Sequence, residues 1–78
     1  MDYTTQGGCM REKIIEGLKA HIQGKMYKHI TNVHVLLEKP IGVAEHPDIV
    51  DTIESELSML ADCVDKLEVL NKFFNENN

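Results

Sequence analysis

The sequence contains no tryptophan, two prolines, two cysteines and only four aromatic residues among its 78 positions. Below roughly 80 residues one chain can build a single core at most, so a multi-domain enzyme is excluded by length. Two cysteines are too few for a disulfide framework, and Cys63 sits within an apolar helical pattern, so reduced thiols are expected. No unbroken apolar run exceeds five residues, and the first nine residues, MDYTTQGGC, carry neither a basic nor an apolar leader region. The expectation is a cytoplasmic protein without a signal peptide or membrane span. With 42% hydrophobic and 27% charged residues, the composition is that of an ordinary globular chain.

Positive charge is also scarce. The net charge of −5 has the wrong sign for a protein that grips nucleic acid mainly through phosphates. The average conceals a division, because residues 10–39 carry +3 and residues 40–78 carry −7. Such halves can lie against each other or against a second copy.

What remains is helical pattern. Residues 1–9 are polar, include the Gly7-Gly8 pair and read as a disordered lead-in; residues 10–78 read as one helical-hairpin domain. Ile15, Leu18, Ile22, Met26, Val33 and Leu37 fall on one face at three-four spacing, which predicts a first helix over about 10–38. Pro40 and Gly42 stop it. Pro47 suits the first turn of a second helix, over about 48–75, and Asp48 and Asp51 suit the positive end of its dipole. In that helix Val50, Ile53, Leu57, Leu60, Val64, Leu67, Asn71 and Phe74 alternate by three and four. These spacings predict the core or interaction seam, widened on one side by Ile49, Cys63 and Leu70. Asp62 with Lys66, and Glu68 with Lys72, are oriented as i,i+4 ion pairs.

The fold class predicted is all-α, an antiparallel two-helix hairpin. Two helices cannot enclose a core, so the hairpin is expected to assemble as a homo-oligomeric bundle, a four-helix homodimer first. A second face of helix 1, Gly17, Ala20, Gly24 and Tyr27, begins small. Glycine inside a helix costs about 1 kcal/mol relative to alanine, so this face is a candidate for close approach by a partner helix.

The candidate chemistry is sparse. His29 projects into the middle of the helix 1 apolar face, and Glu56 interrupts apolar positions of helix 2, so the two are candidates for a buried polar pair. No catalytic residues and no cofactor are assigned. No metal site is assigned either, because no two helical histidines are spaced i,i+3 or i,i+4; a metal or small-ligand alternative would use His21, His29 and Cys63. Lys13, Lys19, Lys25 and Lys28 point around different sides of helix 1, which disfavours nucleic acid. The expected function is a non-enzymatic interaction module that self-associates and binds a protein partner.

Two resemblances bear on this reading. His46-Pro47-Asp48, in a loop between antiparallel helices, resembles the signature of J-domain cochaperones. In that family a basic helix runs directly into the tripeptide and a lysine usually follows, whereas here Pro40 and Gly42 intervene and Ile49 comes next, so a cochaperone-like role is only the lesser alternative. The stretch from His21 to Phe74, with a Pro40-Ile41-Gly42 turn and a Glu45-His46-x-Asp48 helix start, resembles small uncharacterised proteins of marine phages of cyanobacteria over about two thirds of the chain. That family carries no assigned activity; the resemblance implies expression in a host cell's cytoplasm.

Overall fold

Long runs of good helix formers without proline give two helices, α1 (Met10–Leu37) and α2 (Asp48–Phe73). The computed structural model describes residues 10–38 and 48–75. The lead-in, the loop with its His46-Pro47 dipeptide and the last three residues lie outside the described residues. The described part contains no strand.

Backbone and dipole chemistry mark the ends. Glu38 N–H donates to both His34 O (3.1 Å) and Val35 O (3.2 Å), tightening the last turn of α1. Asp48 and Asp51 occupy the first turn of α2, where negative charge meets the positive end of the helix, and Thr52 Oγ1 donates to Asp48 O at 2.8 Å. Lys66 Nζ lies 3.0 Å from Asp62 as the expected i,i+4 pair, while Lys72 Nζ lies 5.6 Å from the Phe73 ring centroid.

The helices pack antiparallel. Ile15 shares a depression with Leu70 and Phe74, Ile22 shares one with Met59 and Cys63, and His29 bonds to Glu56, so α2 numbers fall as α1 numbers rise. The inward row of α1 includes Ile15, Ile22 and His29, seven residues apart, with Met26, Val33 and Leu36 half-buried beside them. This corrects the predicted α1 face in two places, since Leu18 and Leu37 are exposed and Leu36 takes the inward position. The inward row of α2 is Ile49, Ile53, Glu56, Leu60, Cys63, Leu67 and Leu70.

That row divides the predicted seam. Ile53, Leu60 and Leu67 are half-buried, but Val50, Leu57, Val64 and Phe74 are exposed, as is Asn71. The residues read as a mere widening, Ile49, Cys63 and Leu70, face α1 instead. The reason lies in the polar pair: rotating α2 to this side brings Glu56 onto His29, and the apolar row Val50-Leu57-Val64 is left on the outside. The core is consequently thin. Among the described residues only Ile15, Ile22 and Cys63 are buried apolar side chains, against thirteen exposed large hydrophobic ones.

Candidate functional site

The centre of the hairpin is polar. His29 is 5% exposed, and its ring Nδ1–H donates to Glu56 Oε1 at 2.7 Å. Asn32, one helical turn further along α1, donates from Nδ2 to the same oxygen at 3.0 Å. These two hydrogen bonds, His29 first, hold the Glu56 carboxyl below the ordinary glutamate range. A half-buried carboxylate that accepts two donors has its burial compensated, and no buried side-chain nitrogen or oxygen among the described residues lacks a partner. The hydropathy pattern of α1 does not mark Asn32. Its i,i+3 spacing from His29 was the available signal.

A groove of about 830 Å³ opens beside this centre. Leu18, Ile22, Met59 and Cys63 give it an apolar floor, and His21, Lys25, Lys28 and Lys66 give it a basic rim. Its acidic member, Asp62, is paired with Lys66. Lysines 25 and 28 thus share one side of α1, contrary to the reading that scattered the four α1 lysines; Lys13 and Lys19 do not line the groove. The spacing His21, Lys25, Lys28 (i, i+4, i+7) carries that information, and Lys66 from α2 could be added only by the fold. An apolar depression formed by Ile14, Ile15, Leu70 and Phe74, with Arg11, continues the groove through Leu18, which lines both.

On the other side of the inward row of α2, Leu57, Leu60, Ala61 and Val64 form a shallow apolar surface bordered by Asp65 and Glu68. Val50 extends it at the same heptad phase and is 58% exposed. Gly17, Ala20, Gly24 and Tyr27 also lie at the surface, and a Cβ placed on either glycine would meet nothing within 4 Å. Packing within one hairpin therefore requires neither glycine.

The residues of the metal alternative, His21, His29 and Cys63, do line one groove. They do not form a ligand set, because among the described residues no three or more His, Cys, Asp or Glu side chains are grouped to hold an ion. No described helix is long and apolar enough to cross a membrane. No family model, curated protein or solved structure matches the chain.

Proposed function

We propose that this chain is a small non-enzymatic interaction module that self-associates through helix packing, first as a pair of hairpins bringing four helices together. The observation that carries this reading is the imbalance, among the described residues, between three buried and thirteen exposed large apolar ones, since exposed apolar surface of that extent is ordinarily covered by another protein surface. The opposite charges of the two halves support it, because they give a second copy a surface of the other sign to meet. The phage resemblance adds a setting, the cytoplasm of a bacterial host.

Sedimentation of the full chain tests the proposal. A mass near or above twice 8.9 kDa at micromolar concentration is expected. A folded chain that stays strictly monomeric would overturn it.

A further inference from the structure

We propose that copies of this chain associate head-to-tail, with the apolar–acidic outer surface of α2 in one copy seated in the basic groove of the next. The proposal rests on the self-association reading and specifies which surfaces meet. It starts from the two faces of a two-helix layer. On α2, Met59 and Lys66 lie on one side of the inward row and line the groove, whereas Leu57 and Val64 lie on the other side with Asp65 and Glu68. The two faces are both apolar at their centres and are opposite in charge.

A two-fold dimer presents the same patch from each copy. It would set groove on groove, crowding the lysines, or outer surface on outer surface, crowding the carboxylates. Placing unlike faces together removes both repulsions and covers apolar surface on each side. Dimensions agree with this arrangement. From Val50 to Val64 the outer row runs about 21 Å, and from Leu18 to Lys28 the groove runs about 15 Å before the Ile14–Phe74 depression extends it, at ~1.5 Å per residue. The occupant the groove suits is an acidic, apolar-centred helix, and the outer face of α2 is such a surface.

A contact between unlike faces leaves one face of each kind open at the ends of the pair, so addition of further copies follows with concentration unless the stack closes into a ring. Two variants separate this from two-fold pairing: a groove variant, Lys25→Glu with Lys28→Glu, and an outer-face variant, Asp65→Lys with Glu68→Lys. All four side chains are exposed, Lys28 lies close enough to the central pair to act on Glu56, and retained helicity by circular dichroism establishes that each variant is folded. If either charge reversal disturbs folding, the neutral replacements Lys25→Gln with Lys28→Gln, or Asp65→Asn with Glu68→Gln, take its place.

Sedimentation equilibrium then reads the result. Each variant alone should associate at least tenfold more weakly than the wild type, and their equimolar mixture should recover association, because the intact outer face of the groove variant meets the intact groove of the outer-face variant and the two reversed faces are again opposite in charge. A variant that still dimerises like the wild type, or a mixture that fails to recover, would overturn head-to-tail docking while leaving self-association standing. A wild type that never associates would remove the function reading itself, and this docking with it.

Discussion

His29 and Glu56 are 27 residues apart in the chain and 2.7 Å apart in the hairpin, joined by a hydrogen bond that requires the Glu56 side of α2 to face α1. A buried imidazole without a partner is costly, and the partner lies in the row Ile49-Glu56-Cys63-Leu70, not in the more apolar row Val50-Leu57-Val64. Polar satisfaction therefore decides the rotation of α2, and the more apolar row is left outside for another surface.

The first prediction concerns that pair. Glu56→Gln and His29→Gln should each lower the melting temperature, and the double variant should lose less than the sum of the two, because either single change leaves the other partner buried without its match. Thermal melts of the four proteins complete the cycle. Strict additivity would show that the contact contributes no coupling.

The second concerns acid. The folded carboxyl of Glu56 is held below its ordinary value of 4.5 by the bond from His29 first and from Asn32 second, with the Lys28 charge adding a smaller effect. A lowered folded value means that the stabilisation is fully present above about pH 4.5 and is lost as pH falls through the folded value. Below about pH 5 the gap in melting temperature between the wild type and Glu56→Gln should shrink as acidification continues. Asn32→Ala, which lets the folded value rise toward 4.5, should complete that decline at a higher pH. A gap that widens as pH falls below about 4.5 would reverse the assignment.

Inner and outer residues should separate in a third measurement. Ile22→Ala removes a side chain only 9% exposed and is expected to cost roughly 2–5 kcal/mol at any protein concentration. Leu57→Ala removes one that is 48% exposed, so the hairpin itself should change by no more than about 0.5 kcal/mol. Its effect should appear in the concentration dependence of melting, which is the mark of an assembly contact. Equal losses from the two variants in dilute protein would place Leu57 in the hairpin core.

The glycines of α1 give a fourth. With open space where each Cβ would stand, Gly17→Ala and Gly24→Ala should each stabilise dilute protein by up to about 1 kcal/mol through helix propensity alone. Melting in dilute and concentrated protein checks this. If a partner helix lies against this face, the gain in concentrated protein turns into a loss.

Both helices were legible in the sequence, and their ends fall within two residues of those predicted, because Pro40, Gly42 and Asp48 act on the backbone locally, whatever packs around them. The central pair was legible as well: a lone histidine and a lone acid interrupting otherwise apolar faces suit each other chemically. The side of α2 that turns inward was not. Rows 49/56/63/70 and 50/57/64/71 differ by one residue, or about 100° of rotation, and hydropathy favours the second. Only the hairpin brings α1 to bear on that choice, through His29 and Asn32, which need an acceptor at the level of Glu56. The same rotation gathers Lys66 with Lys25 and Lys28 on one face and leaves Leu57 and Val64 with Asp65 and Glu68 on the other. Local propensity and spacing determined that there are two helices and where they end; the division of charge between the two faces was decided by a hydrogen bond across the tertiary interface, because rotation of a helix about its axis is set by what it packs against.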